Sequence, residues 1–596
     1  MQKIINEMTW KVAGEAGHGI LNAGLVMFAK SCVRAGMHVF ATAEYPSLIR
    51  GGHNHLDVRV SETEIHSQQQ HVDLLVALNK ESITRHAHKM SEGGGIIYDG
   101  DDVNIEGSTR RDIKLYPVPL MKIANTCGGT IMRNTVAIGA TFALTGFDIE
   151  ILNTVIRDNF VTKKGEIVAL ANIAAAKAGY DYVKNNFKDD FAWALVRRSR
   201  GNKIFLSGNE ATVAGALRAG CKFVAAYPMT PTSSVLMLMA GQEKDYHLVV
   251  KQTEDEIAAI NMAIGASFAG ARSMVATSGG GFSLMVEGLG LAAQTETPLV
   301  IVEGQRPGPA TGMATHSGQA DLRFVLHAST DEFPRIVIVP GDVEDSFHYA
   351  IKAFDLADRY QMPVIILTDK YVAESYKTTE EFATDDVVID RGLLSKGDVG
   401  EGYLRYKVTV SGSSLRSVPG QKGGRHVASS YEHDEHGFER EEEEVRIAMH
   451  NKRFRKLEHA AKELPQPELY GAKEADMTII SWGSPKGPIR EAMKLLAKEG
   501  ITINYLQIVF LSPFPSQKVR DVIKSAKHTV IIENNKTSQL SSLIREHCLC
   551  DADFKMLKYD GRPFYPEEIA AGVRKLLRER KLSTLEFSKG SIIRAV

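Results

Sequence analysis

The sequence predicts an α/β protein built from three successive α/β units. Segments typical of buried strands alternate with helical segments over most of the 596 residues, which is the pattern of sheets covered by helices. A glycine-rich turn separates a strand from a helix near the start, and the most regular alternation lies in the middle of the chain. At about 150 residues per domain, the length allows roughly three to five domains.

The composition is that of an ordinary soluble globular protein. Hydrophobic residues make up 44% and charged residues 24%, which argues against a wholly disordered or fibrous chain. Lys and Arg number 71 against 72 Asp and Glu, so the basic excess of a dedicated nucleic-acid binder is missing. Neither a signal-peptide pattern nor a run of eighteen apolar residues occurs. These features predict a cytoplasmic protein with no nucleic-acid or membrane partner.

The five cysteines restrict the redox chemistry expected of this chain. They are too few, and odd in number, for a disulfide framework. Only Cys548 and Cys550 stand close together, and no CxxC pair occurs. A zinc or iron–sulfur site with four thiolates is therefore not expected within this chain.

The first segment, residues 1–190, begins with a strand, a turn and a helix. The turn at Gly14–Gly19 has the pattern GxxGxG rather than the dinucleotide pattern GxGxxG. Its glycines still allow the backbone to approach an anion at a helix N-terminus. Two interpretations stay open: a plain tight turn, or a site for a phosphate-bearing ligand such as coenzyme A at Gly17, His18 and Gly19.

Two histidines of the first segment stand at strand spacing. His53 and His55 alternate within RGGHNHLDVRV, so both imidazoles can lie on one face of a strand. Two histidines alone do not define a metal site, and a third ligand is not evident from the sequence. A structural or surface role is therefore the favoured interpretation, and no metal site is predicted.

The rest of the chain divides by changes in composition. A charged stretch at 188–202 predicts a linker to a second unit at 203–390, whose strand candidates are CKFVAAYP, RSMVATSGG, PLVIVEG, RIVIVPGD and MPVIILTD. Residues 391–470 predict an irregular charged connector that ends in a solvated helix, and metal binding by its EHDEH run is disfavoured. Residues 471–596 predict a third unit with strands at MTIISWG, ITINYLQIV and HTVIIEN.

Unusual segments follow strands of the second unit, where open α/β sheets build their sites. Tyr227–Ser233 combines two prolines with three hydroxyls, and Thr277–Phe282 is a glycine-rich loop that ends in an aromatic ring. Glu256 opens an almost entirely apolar helix, either as part of the helix cap or as an acid with a raised pKa. Arg306 lies in a loop of Gly, Pro and Thr and is suited to gripping a carboxylate. Together they predict an anion-binding cleft with an acid on a helix.

On these residues, the chain resembles the 2-oxoacid:ferredoxin oxidoreductases, as an alpha subunit with a gamma domain fused at its N-terminus. YPMTPTS, EDEIAAINMAIGASFAGAR and QRPGPATGMAT are similar to segments of that family and occur in the same order. GEAGHGI and RGGHNHLDVRVS are similar to the gamma domain, and ISWGS with LSPFP resembles a transketolase-C-like domain. The resemblance implies a gamma domain at 1–190, a thiamine diphosphate pyrimidine-binding domain at 203–390, the charged connector at 391–470 and a transketolase-C-like domain at 471–596.

The resemblance also implies roles for individual residues. Glu256 is expected to be the catalytic acid that hydrogen-bonds the aminopyrimidine of thiamine diphosphate. Ala314-Thr315-His316 departs from the family's Pro-Thr step, which bears on the geometry of that loop. The other residues that the resemblance implies are Tyr227, Pro228, Met229, Ser278 and Phe282 at the cofactor, and Thr230, Arg306, Thr311 and Thr315 at the substrate.

The implied reaction is the oxidative decarboxylation of 2-oxoglutarate with coenzyme A to succinyl-CoA and CO2, with reduction of ferredoxin, or the reverse reaction. A second cation for the distal carboxylate would come from His316 or Arg323. Pyruvate or a branched-chain 2-oxoacid as substrate, and a non-catalytic assembly scaffold, stay open as alternatives. The chain has neither a GDG motif with a downstream Asn nor cysteines for a cluster. A beta subunit with the diphosphate half-site, Mg²⁺ and a [4Fe-4S] cluster is therefore expected, in an (αβ)2 heterotetramer, and the chain alone is expected to be inactive.

Overall fold

The computed structural model describes residues 3–17, 19–48, 51–103, 105, 109–199, 201–579 and 581–596. The chain forms two compact units, each assembled from more than one stretch of sequence. Unit 1 consists of Met1–Leu206, Ser375–Phe382 and Tyr565–Glu567, and unit 2 of Ser207–Glu374, Ala383–Phe564 and Glu568–Val596. Within the described residues, no helix combines the length and the apolar character that a membrane span requires.

The strands are numbered along the chain. The N-terminal ones are β1 (Ile4–Ile5), β2 (Met8–Glu15), β3 (His38–Glu44), β4 (His53–Ser61), β5 (Val72–Ala77), β6 (Met90–Asp99), β7 (Lys114–Val118), β8 (Trp193–Ala194) and β9 (Lys203–Ser207). The central ones are β10 (Phe223–Ala226), β11 (Val249–Gln252), β12 (Ser273–Ser278), β13 (Leu299–Gln305), β14 (Ile336–Ile338), β15 (Pro363–Asp369) and β16 (Tyr376–Glu380). The C-terminal ones are β17 (Glu468–Gly471), β18 (Met477–Ser481), β19 (Ile503–Gln507), β20 (Phe510–Ser512), β21 (Thr529–Glu533), β22 (Phe554–Lys558), β23 (Thr584–Ser588) and β24 (Ser591–Ala595).

The helices are numbered in the same way. The N-terminal ones are α1 (Lys30–Arg34), which continues a π-helical segment at Asn22–Ala29, α2 (Lys80–His86), α3 (Leu120–Cys127), α4 (Arg133–Thr145), α5 (Ile149–Lys164) and α6 (Glu166–Asn186). The central ones are α7 (Gly208–Arg218), α8 (Ser233–Ala240), α9 (Glu243–Tyr246), α10 (Glu256–Phe268), α11 (Gly279–Gln294), α12 (Leu322–His327), α13 (Val343–Tyr360) and α14 (Lys370–Glu374). The C-terminal ones are α15 (Glu443–Glu463), α16 (Lys486–Ala497), α17 (Ser516–Ser525), α18 (Gln539–Cys548) and α19 (Pro566–Arg578).

Unit 1 is built on a mixed sheet with the strand order β7-β6-β5-β2-β4-β3-β16-β9. Strands β7, β6, β5 and β2 are parallel, whereas β4 and β3 run antiparallel to their neighbours. The sheet is buried against α4 and the π-helical segment, where the rings of Trp10 and Phe28 stack with centroids 4.4 Å apart. Gly139 of α4 and Gly179 of α6 allow these helices to touch, because a Cβ at either position would overlap a backbone carbonyl of the other helix.

The linker predicted at 188–202 is partly wrong. Trp193 and Ala194 form β8, which pairs with β1, and Phe191, Trp193 and Leu195 are buried in the core of unit 1. The short apolar stretch FAWALV lies between the charged runs KDD and RRSRGNK, so the segment as a whole has the composition of a linker. Its burial depends on pairing with β1, which is almost 190 residues away and leaves no local signal.

Unit 2 contains the second predicted unit as a sheet of order β11-β10-β12-β13-β15-β14-β20. Its strands are parallel except for β20, which runs antiparallel to β14. β13 and β15 are buried along their whole length, as parallel strands covered by helices on both faces are. The strand candidates of this segment correspond to β10, β12, β13, β14 and β15.

The second sheet of unit 2 has the order β17-β19-β18-β21-β22-β23-β24. The three strand candidates of the C-terminal segment are β18, β19 and β21, which pair in parallel. Core residues of both sheets of unit 2 form one hydrophobic cluster, which includes Phe282, Val337, Trp482 and Ile531. These sheets and helices confirm the predicted α/β fold class.

The helix predicted as solvated, α15, is in fact anchored in the interior of unit 2. Lys452 and Lys456 are buried, and both ammonium groups contact the buried carboxylate of Glu296, the first at 2.6 Å. Arg453 reaches the carboxylate of Glu432 at 2.5 Å. The charge pattern of the sequence is typical of an exposed helix, and it cannot show that a buried glutamate far along the chain neutralises the lysines.

Candidate functional site

The unusual segments of the second unit meet at the carboxyl edge of its parallel strands. Tyr227 follows β10, Gly279 follows β12 and Arg306 follows β13. Because β10, β12 and β13 are neighbours in the sheet, the loops after them lie side by side, which is where open α/β sheets form their sites. The predicted site residues on these loops are therefore brought together by topology alone.

Glu256 is the first residue of α10 and is 3% exposed. The helix cap is supplied by Asp255, whose carboxylate accepts a hydrogen bond from the Ala258 amide at 2.8 Å. The carboxyl of Glu256 is therefore not needed as a cap, and its Oε1 has no hydrogen-bond partner among the described residues. Burial raises the pKa of Glu256, and the neighbouring Asp255 raises it further.

The segment Thr277–Phe282, predicted as a glycine-rich loop, is instead the end of β12 and the first turn of α11. It lies directly against this acid. A Cβ on Gly281 would overlap both Glu256 Oε1 and the hydroxyl of Thr277, so only glycine fits there. A Cβ on Gly280 would lie 3.9 Å from the sulfur of Met229. The N-terminus of α11 and the loop after β10 thus line the same space as the acid.

Hydrogen bonds connect the three loops to one another. Arg306 Nη1 donates to the carbonyl of Thr230 at 2.8 Å. The hydroxyl of Thr232 donates to the carbonyls of Met229 and Thr277, each at 3.1 Å. Arg306 Nε is buried without a hydrogen-bond partner in the described part of the chain. The guanidinium is therefore held by one nitrogen and keeps donor capacity for an anion.

Two buried carboxyl groups behind Arg306 were not predicted from the sequence. Burial raises the pKa of Glu303 well above its usual value, and the adjacent Asp321 carboxylate raises it further. Burial also raises the pKa of Asp321, to about 6. Arg306 acts in the opposite direction and lowers the pKa of both carboxyl groups, so the three side chains are electrostatically coupled. An acid within the apolar strand VIVEG is the one sequence signal that could have revealed Glu303.

The other predicted site residues differ widely in exposure. Ser278 is buried with its hydroxyl unpartnered among the described residues, and Phe282 is in the core with its ring edge-on to Phe324 at 5.3 Å between centroids. Phe282 therefore packs α11 against the hydrophobic core of unit 2. Of the remaining predicted residues, three are exposed (Tyr227, Pro228 and Thr311), two are half-buried (Met229 and Thr230), and Thr315 is buried.

The loop after Arg306 folds back on itself and is attached to the C-terminal segment within unit 2. The Met313 amide donates to the Pro307 carbonyl at 2.9 Å. Gln319 donates to the carbonyl of Trp482 at 2.9 Å and accepts from the amide of Asn534 at 3.0 Å. The ends of β18 and β21 thus support the arginine loop.

In unit 1, the glycine turn follows β2. Gly17 has φ +90°, and a Cβ there would meet nothing within 4 Å. Gly19 has φ +68°, and its Cβ position lies 3.1 Å from the side-chain amide of Asn134. His18 lies outside the described residues. Coenzyme A binding at this turn stays a prediction.

The two histidines of β4 have a neighbour that the sequence did not reveal. His86, the last residue of α2, lies with its Nε2 2.7 Å from Nε2 of His53. One ring nitrogen from each of His53, His55 and His86 lies within 4.8 Å of the others. Burial lowers the pKa of all three imidazoles, and nearby cations, chiefly Lys11 and Arg85, lower it further. The third histidine was not evident from the sequence, because it comes from a helix and lies 31 residues after His55.

The acidic connector holds its histidine differently. His433 is buried, with Nδ1 3.0 Å from the Asp434 carbonyl and Nε2 3.3 Å from the Gln294 carbonyl. Glu432 is engaged by Arg446 and Arg453. Protein groups thus occupy both of these potential ligands.

Comparison with known proteins gives the class of protein that this fold and site define. The family model described as pyruvate flavodoxin/ferredoxin oxidoreductase, thiamine diphosphate-binding, matches residues 214–452. The models for pyruvate ferredoxin/flavodoxin oxidoreductase and for core domain II of pyruvate:ferredoxin oxidoreductase match residues 9–182 and 475–569. The chain is thus an α/β oxidoreductase chain with a thiamine diphosphate-binding domain.

Relatives that match nearly the full length of the chain define its family more narrowly. A 2-oxoacid:ferredoxin oxidoreductase subunit alpha from Sulfolobus is 32% identical over 96% of this chain and 97% of its own length. The 2-oxoglutarate oxidoreductase subunit KorA of Mycobacterium tuberculosis is 27% identical over 98% of this chain and 93% of its own. The solved 2-oxoglutarate:ferredoxin oxidoreductase of Magnetococcus marinus matches with a TM-score of 0.90 and 33% identity, over 96% of this chain and 100% of that one.

The chain therefore belongs to the 2-oxoacid:ferredoxin oxidoreductase family and is an alpha subunit of it. The residues present fit the family's cofactor. Glu256 offers a buried carboxyl oxygen without a partner in the described structure, and Gly281 leaves the space beside it free of a side chain. A buried acid with a raised pKa is suited to exchanging a proton with a ring nitrogen of thiamine diphosphate.

Proposed function

We propose that this chain is the alpha subunit of a 2-oxoglutarate:ferredoxin oxidoreductase. The observation that carries the proposal is its likeness, over 96% of its length, to the Magnetococcus marinus enzyme, which was solved with 2-oxoglutarate, coenzyme A and succinyl-CoA bound. The reaction converts 2-oxoglutarate, coenzyme A and two oxidised ferredoxins to succinyl-CoA, CO2, two reduced ferredoxins and a proton. Physiological flux in either direction is compatible with this chemistry.

Glu256 and Arg306 have different roles at the site in this proposal. Thiamine diphosphate, when bound, supplies the carbon nucleophile and the electron sink for decarboxylation. Glu256 has a buried side chain and holds or releases a proton at Oε1, which has no partner among the described residues. Arg306 orients the 2-oxoacid carboxylate, because one nitrogen is fixed on Thr230 and the remaining donors are free to form a fork.

The distal carboxylate of 2-oxoglutarate requires a second polar group. Of the two candidates, Arg323 is exposed and donates to the Ser542 hydroxyl at 2.7 Å. His316 is half-buried, follows Thr315 in the arginine loop, and has its Nδ1 3.3 Å from the Thr315 hydroxyl. The loop position and partial burial favour His316 as the group that selects 2-oxoglutarate.

A beta subunit completes the enzyme in this proposal. It carries the diphosphate half of the cofactor site, Mg²⁺ and the iron–sulfur cluster that passes electrons to ferredoxin. The gamma, pyrimidine-binding and transketolase-C-like domains are proposed at 1–190, 203–390 and 471–596, joined by the connector 391–470. Three strands pair across these boundaries: β9 and β16 belong to the sheet of unit 1, and β20 belongs to the sheet of the central strands.

Substrate comparison tests the proposal. The chain is co-purified with its partner subunit, and kcat/KM for coenzyme A-dependent dye reduction is measured with 2-oxoglutarate, pyruvate and 2-oxoisovalerate. We expect 2-oxoglutarate to be preferred by at least about tenfold, since an enzyme built for a second carboxylate leaves polar groups unpaired with the others. A preference for pyruvate or 2-oxoisovalerate would assign the chain to another branch, and no turnover with any of them would favour a scaffold.

The catalytic acid is tested by Glu256→Gln in the same complex. We expect kcat to fall by about 100-fold or more, because the amide cannot exchange the proton. Glu254→Gln is the matched control, since Glu254 is exposed in the same loop. Equal kcat for the Glu256 variant and the control would remove Glu256 from the mechanism.

A further inference from the structure

Three histidines of unit 1 come together at the carboxyl end of its parallel strands. His53 and His55 lie two residues apart on β4, so their side chains project from the same face. β4 runs antiparallel to β2, with Ala13 opposite His55 and Glu15 opposite His53. The histidines therefore stand beside the end of β2, the strand that leads into the glycine turn. His86 reaches them from the last residue of α2.

The three rings lie close enough to share one ion. Their centroids are 6.0 Å apart for His53 and His55, 5.0 Å for His53 and His86, and 4.8 Å for His55 and His86. One nitrogen from each ring lies within 4.8 Å of the others. Nitrogens bound tetrahedrally at 2.0–2.1 Å from zinc are about 3.4 Å apart. Small side-chain rotations therefore bring all three to bonding distance of one ion.

Some buried ring nitrogens of the histidine cluster lack hydrogen-bond partners within the described residues. Within the described residues, the Nδ1 atoms of His53 and His86 are buried without hydrogen-bond partners. His55 Nε2 is 3.8 Å from a carboxylate oxygen of Asp57, whose other oxygen is 2.7 Å from the ammonium of Lys11. A purely structural histidine cluster would be expected to satisfy its buried nitrogens.

The ligand types limit which ion fits. Clusters of three imidazoles suit zinc, copper or nickel, whereas calcium and magnesium prefer carboxylate and carbonyl oxygens. Neutral imidazole provides the lone pair that a metal needs. The charge of Lys11 is paired with Asp57, whereas Arg85 and Lys89 add positive charge near the cluster. Three protein ligands leave a fourth position open for water or another ligand.

We propose that His53, His55 and His86 form a site for a divalent transition-metal ion, with Zn²⁺ as the favoured occupant. The site lies within unit 1 and shares no residue with the Glu256 and Arg306 cleft of unit 2. The proposed metal site is therefore independent of the proposed function, and its test requires no measurement of enzyme activity.

Zinc binding by the untagged full-length chain tests the site. The protein is stripped with a chelator, incubated with Zn²⁺ and passed through a gel-filtration column, and the zinc per chain is measured by mass spectrometry. We expect one zinc per chain for the wild type, and at least a tenfold loss in affinity for His53→Ala and for His86→Ala, since loss of even a supporting group costs this much. His71→Ala is the control, because His71 is an exposed histidine of the same unit.

A second readout keeps the test decisive if a variant folds poorly. Co²⁺ added to the stripped wild type is expected to give the intense visible bands of a four- or five-coordinate nitrogen site, and Zn²⁺ should displace it. Circular dichroism and Tm without metal identify a variant that is unfolded. The proposal is overturned if the wild type retains no zinc and gives no such bands, or if folded His53→Ala protein binds zinc as tightly as His71→Ala.

Discussion

At the scale of single residues, glycine has as large a part in the candidate site as the acid itself. Glu256 keeps an unpartnered carboxyl oxygen, among the described residues, because Asp255 caps the helix in its place and because Gly281 carries no side chain. Arg306 Nη1 donates to the backbone carbonyl of Thr230, and its Nε has no hydrogen-bond partner in the described part of the chain. The reactive groups are thus available because their neighbours satisfy the local structural needs.

The first prediction concerns this glycine. Gly281→Ala places a methyl group in the position of Glu256 Oε1 and Thr277 Oγ1, so the acid must move. We expect kcat of the complex to fall by about 100-fold, comparable to loss of the acid, as measured by 2-oxoacid-dependent dye reduction. Gly265→Ala is the control, because Gly265 lies exposed in α10 and its Cβ would meet nothing within 4 Å. Wild-type kcat in the Gly281 variant would contradict the geometry.

The second prediction concerns pH. Asp369, at the end of β15, accepts a hydrogen bond from the Val372 amide at 3.1 Å, and burial raises its pKa to about 6. Because the unfolded pKa is about 3.9, the folded chain binds the extra proton between pH about 4 and about 6. This residue's contribution to the free energy of unfolding is therefore present at low pH and lost as pH rises through about 6.

Asp369→Asn keeps the acceptor oxygen and removes the titration. Relative to the wild type, we expect the variant's free energy of unfolding to rise by about 2 kcal/mol between pH 4.5 and 6.5. Urea denaturation at the two pH values measures the change. Asp385→Asn, at an exposed position, should show no such difference. An equally flat result for Asp369→Asn would mean that Asp369 titrates normally.

At the scale of elements, buried ion pairs attach the connector to the sheet of unit 2. Lys452 and Lys456 of α15 enclose Glu296, and their charges hold its pKa below the usual range although burial alone would raise it. A second group of ion pairs lies around Asp358, which binds Arg272, Arg391 and Arg416. Such contacts fix position more than they add stability, because each charge must first lose its water.

The third prediction removes one of these partners. Glu296→Gln leaves two lysine ammonium groups buried without their carboxylate, so we expect the free energy of unfolding to fall by about 3–5 kcal/mol. Chemical denaturation followed by circular dichroism measures the loss. Glu287→Gln, on the exposed face of α11, should change it by no more than about 0.5 kcal/mol. If both variants unfolded at the same denaturant concentration, the ion pairs would not hold α15 in place.

Elements with a local pattern could be predicted from the sequence, whereas elements fixed by distant partners could not. β13 and β15 are continuous apolar runs and were predicted. Arg306 directly follows β13, and Glu256 opens the apolar helix α10, so both have a local signal, and their roles stay predictions. β8 and the buried side of α15 depend on β1 and Glu296, which lie far away in the sequence. His86 and Asp321 belong to the same group, because only folding brings them to His53 and Glu303.

At the scale of the whole molecule, the chain is an alpha subunit of the 2-oxoacid:ferredoxin oxidoreductase family. Its five cysteines are free thiols, and burial raises the pKa of Cys221 to about 12 and that of Cys548 to about 11. In the proposed function, electrons from the substrate leave through the beta subunit, because the sequence of this chain has no CxxC pair for a cluster.

The fourth prediction follows from this. The purified chain alone should show no 2-oxoacid-dependent dye reduction, and its complex with the beta subunit should contain iron, sulfide and thiamine diphosphate and turn over. Iron and sulfide analysis of the two preparations, with parallel activity assays, makes the comparison. Turnover by the isolated, iron-free chain would show that the electron path lies within it.

The order of the strands in unit 1 affects how the protein folds while it is being synthesised on the ribosome. β16, at Tyr376–Glu380, lies between β3 and β9 in the sheet, although about 170 residues separate it from β9. Until β16 has been synthesised, the β3 edge of the nascent sheet lacks its neighbour and is open to wrong pairing. The N-terminal unit is therefore completed late in translation, and a gene cut after residue 206 would encode a sheet with a missing strand.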